Sequence, residues 1–324
     1  MNELERKTKL EEIHLRMHQV RSLKELRIGK GVFNTEALML VLNKKYRTSD
    51  GRRMLLKYLD AQDDEEVMHR KEATLAYLNS SPYKEVEELV IPEFKVMVDS
   101  EPAGFAMPLI ENHKNLGSIL HSPRIPFQTK KKYLIELGNL IDKVDRVDAP
   151  HKFSFSDLNE YNFIIDEEGK LRAIDLDSSY VEGLEGITPA AQAYYLLKNQ
   201  YIAAIPEKYA SKDDEVIIPS KNTDLYSYNM ILLATLANES IFKLDMWTYY
   251  RYIDFLKKLG LDQELIDIFI NIYSRKPNKS PRGLIETIPD NFTRRASYKV
   301  FEKRYLNKWN ICSTNVCLKE KNNI

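Results

Sequence analysis

The sequence contains no long apolar run and almost no cysteine. No segment approaches the ~20 consecutive apolar residues that a membrane-spanning helix requires, and the charged N-terminus lacks the apolar core of a secretory signal. The two cysteines, Cys312 and Cys317, are too few for a disulfide framework or a complete zinc site, which favours a reducing compartment. The sequence therefore predicts a cytoplasmic protein without a membrane partner. Its two cysteines could form a local disulfide, but free thiols are favoured.

A net charge is also missing, because 48 Lys and Arg residues balance 48 Asp and Glu residues. The chain lacks the overall basic field that attracts nucleic acid, and no nucleic-acid partner is expected. The basic, aromatic-rich stretch 294–321 is more simply explained as a helix that packs on the rest of the protein. Core-forming residues are abundant: 43% of the 324 residues are hydrophobic and 10% are aromatic. This composition excludes a disordered chain, and the length leaves room for two domains.

The first third of the chain predicts a small sheet with one helix. The charged segment 3–21 carries a thin apolar stripe at helical spacing and is predicted to be a helix. Turn residues then separate short strand-like runs, and one segment with an acidic first turn predicts a helix. The strands are predicted at 23–28, 37–42, 54–59, 93–98 and 104–108, and the helix within 60–79.

Beyond residue 110 the sequence is mostly helical, with one exception. In segment 162–177, two short apolar strands flank an acidic turn that contains glycine, which predicts a β-hairpin. The expected fold class is α+β. The helices are predicted at 128–147, 225–237, 246–259 and 263–273. The expected parts are an N-terminal helical extension at 1–22, a sheet lobe at 23–110, a helical lobe at 111–290 and a C-terminal tail at 291–324.

The predicted hairpin brings oxygen-bearing side chains together. Asn162 begins its first strand and Asp175 ends its second, so antiparallel pairing places them side by side at the open end. Asp157 lies five residues before Asn162, on the loop that leads into the hairpin. Such oxygen ligands suit Mg²⁺, which proteins usually hold with few groups of their own together with substrate phosphates. The remaining carboxylate could then orient a nucleophile.

These residues resemble two motifs of the protein-kinase-like superfamily. Segment 156–162, SDLNEYN, resembles the catalytic loop, and segment 173–177, AIDLD, resembles the metal-binding DFG segment. The resemblance implies that Asp157 is the catalytic aspartate, Asn162 a metal ligand and Asp175 the main Mg²⁺ ligand. It also implies a bilobal fold, with a small antiparallel-sheet N-lobe that carries one helix and a larger, mostly helical C-lobe.

Further residues extend the resemblance upstream. Lys57 ends the predicted strand RMLLK and shares a face with Leu55, because strand side chains alternate. It resembles the kinase strand lysine that contacts ATP phosphates. Glu72 in the following helix resembles the partner of that lysine, and Glu65 or Glu66 could serve instead.

Two segments resemble the walls of a nucleotide pocket. Gly29 and Gly31, in GKGVFN, resemble the glycine-rich loop, where backbone N–H groups can approach phosphates. Segment 104–111, GFAMPLIE, resembles the hinge between the lobes, whose backbone binds adenine. By this resemblance Met107 lines the back of the pocket and Leu109 is a further cofactor-binding residue.

Downstream segments keep the same order as in the superfamily. Asp224 opens an apolar helix and resembles the aspartate that anchors the catalytic loop, and 205–209, IPEKY, resembles the end of the activation loop. The sequence also departs from the pattern. Ser156 replaces the arginine that precedes the catalytic aspartate in many regulated kinases, which removes a dock for an activation-loop phosphate. Asp177 replaces the DFG glycine, a feature of the branch that includes aminoglycoside and choline kinases.

The resemblance spans residues 23–288 and implies an ATP-dependent, Mg²⁺-dependent phosphotransferase. The favoured expectation is a eukaryotic-like Ser/Thr kinase that transfers the γ-phosphate of ATP to a protein substrate. Two alternatives remain open at this point: a kinase of a small molecule, and a pseudokinase that acts as a binding module. The joint presence of Lys57, Asp157, Asn162 and Asp175 argues against the pseudokinase, since burying such polar groups without ligands is costly.

Overall fold

The computed structural model describes residues 9–26, 37–48, 50–59, 65–184, 219–239, 246–272 and 277–306. Strands dominate the first part, and the prediction of an α+β chain is confirmed. The strands are β1 Glu11–Leu15, β2 Lys24–Glu25, β3 Ala37–Val41, β4 Met54–Leu59, β5 Phe94–Val98 and β6 Glu101–Pro108. The helices among them are α1 Met17–Val20 and α2 Glu65–Ser80.

Helices dominate the second part, as the apolar spacing predicts. They are α3 Leu116–Leu120, α4 Phe127–Asp145, α5 Lys221–Ala237, α6 Met246–Lys258, α7 Gln263–Asn271, α8 Phe292–Ala296 and α9 Tyr298–Phe301. The short strands here are β7 Lys114–Asn115, β8 Phe153–Ser154, β9 Phe163–Ile165, β10 Leu171–Ala173 and β11 Tyr180–Val181. In the described ranges, no helix is long and apolar enough to cross a membrane.

Six of the described strands form one sheet in the order β1-β5-β6-β4-β3-β2. All pairs in this sheet are antiparallel except β1 with β5, which is parallel. The helix predicted over 3–21 is therefore wrong at β1. Ile13 and Leu15 alternate with exposed neighbours, and Ile13 pairs with Val96 of β5. Pairing with β5 satisfies the backbone of β1 and buries its alternate side chains, which outweighs the weak helical stripe.

The sheet buries different residues on its two faces. Leu56, Val96 and Ala106 belong to a cluster on one face, whereas Leu55 and Met107 belong to a cluster on the other. Because strand side chains alternate, Lys57 lies on the same face of β4 as Leu55. This face also carries the packing contact with Ile174, the residue that follows β10.

The helical part packs around α5, which is buried along almost its whole length. Gly138 of α4 allows a close approach, since a Cβ there would lie 2.6 Å from the Tyr228 hydroxyl. That hydroxyl donates to the Leu134 carbonyl at 2.7 Å. The first part of the basic tail packs as predicted, with Phe301 fully buried against Tyr252 of α6. The remainder of the tail, with both cysteines, lies outside the described residues.

Candidate functional site

The predicted hairpin is present and joins the two residues expected at its open end. Strands β9 and β10 are antiparallel, with Phe163 opposite Ala173. The Ile174 N–H donates to the Asn162 carbonyl at 2.9 Å. Asn162 and Asp175 consequently flank the same end of the hairpin, as the sequence predicts.

The loop before the hairpin places Asp157 against Asn162. The Asn162 side-chain amide donates to the Asp157 carbonyl at 2.9 Å and to the Asp157 carboxylate at 3.2 Å. Asn159 fixes the loop, because its side-chain oxygen accepts from the N–H groups of Tyr161 and Asn162 at 2.9 and 3.2 Å. The amide nitrogen of Asn162 is thus engaged with Asp157, and its amide oxygen is the atom suited to a cation.

The loop is also anchored from the helical part. The Asp224 carboxylate, buried at the start of α5, accepts from the Phe155 N–H at 3.0 Å. Burial raises the pKa of Asp224 to about 7, although the backbone N–H groups of Phe155 and Ser156 oppose the rise. Ser156 has a positive φ of 62°, a strained conformation for a residue with a side chain. Asp224 therefore holds the strained loop that presents Asp157, in the position its resemblance implies.

Lys57 reaches the hairpin end from the sheet. Its ε-amino group forms an ion pair with Asp175 and donates to both carboxylate oxygens of Asp177, at 2.7 and 2.9 Å. The Lys57 side chain is 7% exposed and that of Asp177 is 1% exposed. Asp175, at 22%, is the member of the trio that faces solvent. A single cation from β4 therefore joins two acids that follow β10.

Burial and the neighbouring charges shift the pKa values of Lys57, Asp175 and Asp177. Burial disfavours the charged form of Lys57, but Asp175 and Asp177 outweigh that effect and raise the pKa of Lys57 above its usual value. Burial also opposes ionisation of Asp177, but Lys57 and Lys71 lower the pKa of Asp177. Burial and the neighbouring Asp177 raise the pKa of Asp175, partly offset by Lys57. Lys57 and Asp177 thus form a charged, buried pair.

The structure does not bring Glu72 to Lys57. The Glu72 carboxylate accepts from Lys95 of β5 at 2.7 Å, and the alternative Glu66 pairs with Arg70 on the surface of α2. The residue of α2 that faces the trio is Lys71, whose ε-amino group lies 3.7 Å from Asp177. Adjacent helical residues point in directions about 100° apart, so a one-residue difference in helix phase replaces the acid with a lysine. The sequence singles out Asp177 only as the residue that replaces the DFG glycine, and it gives no sign that Asp177 and Lys71 belong to the site.

An apolar pocket borders the trio. It is lined by Leu55 and Met107 from the sheet, by Ile164 and Ile174 from the hairpin, and by Asp175 at one end. Leu109 packs against the same cluster and donates its N–H to the Arg53 carbonyl at 2.8 Å. Met107 therefore lines this apolar pocket, and its contact with a nucleotide stays a prediction. The positions of Gly29, Gly31 and segment 205–209 lie outside the described residues.

The donor set at the hairpin end suits a hard cation. Within the described residues, no three His, Cys, Asp or Glu side chains are placed to hold a metal ion. A site here would instead combine the Asp175 carboxylate with the Asn162 amide oxygen. One or two such oxygens, completed by phosphate and water, are a usual Mg²⁺ environment. These two residues therefore fit the metal that the sequence predicts.

Compared with models of known protein families and with curated protein sequences, the chain matches none of them.

Proposed function

We propose that the chain is a Mg²⁺-dependent ATP phosphotransferase with a bilobal, protein-kinase-like fold, and that its acceptor is a hydroxyl of a protein. The observation that carries this proposal is the ion pair between Lys57 of the sheet and Asp175 at the hairpin end. Asp157 and Asn162 lie together at the same end of the hairpin. A lysine, a metal-binding acid and a second acid in one place are what phosphoryl transfer requires, because its catalysis is mostly positioning and charge stabilisation.

Each side chain has a distinct role in this proposal. Lys57 binds phosphate oxygens, and Asp175 with Asn162 holds Mg²⁺, which supplies charge neutralisation when bound. Asp157 accepts a hydrogen bond from the attacking hydroxyl and orients it. The N–H donors of Asn162 keep the Asp157 side chain in one orientation. Asp177 anchors Lys57, the role for which the sequence suggested Glu72.

The apolar pocket is the proposed place of the adenine ring. Leu55 and Met107 of the sheet would cover one side of the ring, and Ile164 and Ile174 of the hairpin the other, next to the phosphate-binding Lys57. The pocket has a volume of about 20 Å³, so a purine requires movement of its flexible side chains. Met39 and Met107 suit this movement because methionine is unbranched and adapts its shape.

A second candidate function is phosphorylation of a small molecule. The observation that favours it is the position of Asp177, an acid that replaces the DFG glycine. Lys57 pairs with Asp177, whereas Glu72 pairs with Lys95. This arrangement differs from the Lys–Glu pair whose formation protein kinases regulate. The two candidates share the roles of Lys57, Asp157, Asn162 and Asp175 and differ only in the acceptor.

The test measures nucleotide binding and phosphate transfer separately, with labelled ATP, Mg²⁺ and generic protein or small-molecule acceptors. Asp157→Asn keeps the shape and removes the charge, so ATP binding should stay near normal while transfer falls by about 10²-fold or more. Asp175→Ala should abolish the Mg²⁺-dependent part of ATP binding.

Asp254→Asn, an exposed position on α6, is the matched control and should change neither quantity. Normal turnover by the Asp157 variant would remove Asp157 from catalysis. If the wild type binds Mg²⁺-ATP and transfers phosphate to no acceptor, the protein is a nucleotide-binding module. Label on a small molecule but not on protein would select the second candidate.

A further inference from the structure

A second polar cavity lies in the helical part, apart from the Lys57 site. It has a volume of about 600 Å³ and lies between the N-terminus of α4 and the segment that leads into α8. That size is within the range of small-molecule sites. Its charged lining residues are Arg124, Lys130, Asp290 and Arg294. None of its lining residues belongs to the apolar pocket beside Asp175.

Lys130 is the unusual member of this lining. It is 3% exposed, yet in the part of the chain that the structure describes its ε-amino group has no hydrogen bond or ion pair. The acid at the cavity, Asp290, is already engaged by Lys131 at 2.8 Å. Burial without an anionic partner lowers the pKa of Lys130 to about 8. A buried cation without a counter-charge is costly, which indicates a missing anion.

Two further features make the cavity electropositive. The side chains of Arg124 and Arg294 form no ion pair with the described residues. Helix α4 begins at the cavity with Pro126 as its N-cap, so no side chain caps its first N–H groups. A helix of 19 residues presents partial positive charge at such an end.

We propose that this cavity binds a small molecule through a doubly charged anionic group such as phosphate. Lys130, Arg124 and Arg294 hold this group at the N-terminus of α4. Arginine suits this group because its guanidinium matches two oxygens at once. The helix N-terminus adds backbone donors that favour the same charge. The site is separate from the proposed transfer site and does not depend on that function.

The direct test is calorimetric titration of the full chain with inorganic phosphate. Lys130→Met retains the apolar stem and removes the charge, and it should weaken binding at least tenfold. Lys132→Met is the matched control, because Lys132 is an exposed lysine of the same helix that faces Glu136. It should leave the affinity unchanged.

The exposed Arg294 provides a second variant that cannot disturb the core, and Arg294→Gln should also weaken binding. The proposal fails if Lys130→Met and Arg294→Gln bind phosphate like the wild type. It fails equally if Lys132→Met weakens binding as much as Lys130→Met, since that would indicate general attraction to a basic surface.

Proton uptake gives an independent readout, with inorganic sulfate as a probe that does not itself titrate. Burial lowers the pKa of Lys130 to about 8, so the side chain is only partly charged near pH 8 and an arriving dianion should draw a fraction of a proton per site from the buffer. The arginines stay charged at this pH, and Asp290 is held by Lys131. Titrations in two buffers of different ionisation enthalpy measure this uptake. Binding without uptake, or equal uptake by Lys130→Met, would refute the role of Lys130.

Discussion

Lys57 and Lys130 are buried to the same degree, 6% and 3% exposed, but they sit in opposite electrostatic surroundings. Lys57 contacts Asp175 and Asp177, and its pKa is raised. Lys130 contacts no acid among the described residues, and its pKa is lowered to about 8. Burial makes charge interactions strong in both regions, and the neighbours decide their sign.

The two lysines illustrate two ways in which a protein can prepare a site for an anion. At the sheet, the lysine is kept charged by its own acids, so phosphate must share it with Asp175 and Asp177. The Mg²⁺ that we propose at Asp175 would remove part of that competition. At α4, the lysine has no internal competitor and needs the anion itself. Under the two proposals, anion binding at Lys57 depends on a metal and anion binding at Lys130 does not.

The largest expected effect comes from removing the charge of Asp177, an acidic partner of Lys57. Asp177→Asn leaves Lys57 with Asp175 alone and removes a buried charge partner, which should lower the free energy of unfolding by about 3 kcal/mol. Urea denaturation measures this change. Glu111→Gln is the control, because its pair with Arg53 is about half exposed and should contribute less than about 1 kcal/mol.

Equal losses from the two variants would show that Lys57 does not depend on Asp177. The same variant tests the assignment of the anchor, because Asp177→Asn should also weaken ATP binding. Glu72→Gln, which affects the Lys95 pair, should leave ATP affinity within about twofold.

A somewhat smaller effect is expected from the strand beside Lys57. Gly104 of β6 has a φ of 148°, and a methyl group there would overlap the Lys57 backbone carbonyl. Gly104→Ala should therefore lower the free energy of unfolding by about 2–3 kcal/mol and displace the strand that carries Lys57. Thermal unfolding of this variant can be compared with Gly283→Ala, where an added methyl group meets nothing within 4 Å. If Gly104→Ala is as stable as Gly283→Ala, the close packing of β4 and β6 does not position Lys57.

The local sequence pattern predicts most of the site around Lys57. The hairpin and the sides of its strands follow from period-two alternation and turn chemistry, so Asn162, Asp175 and Lys57 lie where the sequence places them. Met107 follows in the same way, because it shares a face with Leu55.

The features that the sequence did not predict depend on tertiary structure. Strand β1 forms because β5 offers an unpaired edge, and that edge exists only after the sheet has assembled. The choice between Glu72 and Lys71 depends on the rotation of α2 against the sheet, which spacing alone does not fix. The residues that line the cavity at Lys130 come from positions 123 to 297, and nothing in their spacing indicates that they meet.

The smallest effect, and the sharpest test of the contrast, concerns the pH dependence of stability at Lys130. Its folded-state pKa of about 8 lies below the usual 10.5. Between these values the unfolded chain binds more protons than the folded chain, so this lysine makes stability rise with pH across that window. Between pH 7.5 and pH 9.5 we expect a rise of about 1–2 kcal/mol. Lys130→Met should therefore be more stable than the wild type at pH 7.5, and the advantage should shrink at pH 9.5.

Urea unfolding at both pH values, with Lys132→Met as the control, measures the difference in the free energy of unfolding. A pH dependence identical in the wild type and Lys130→Met would mean that Lys130 is solvated or paired, and the contrast with Lys57 would disappear.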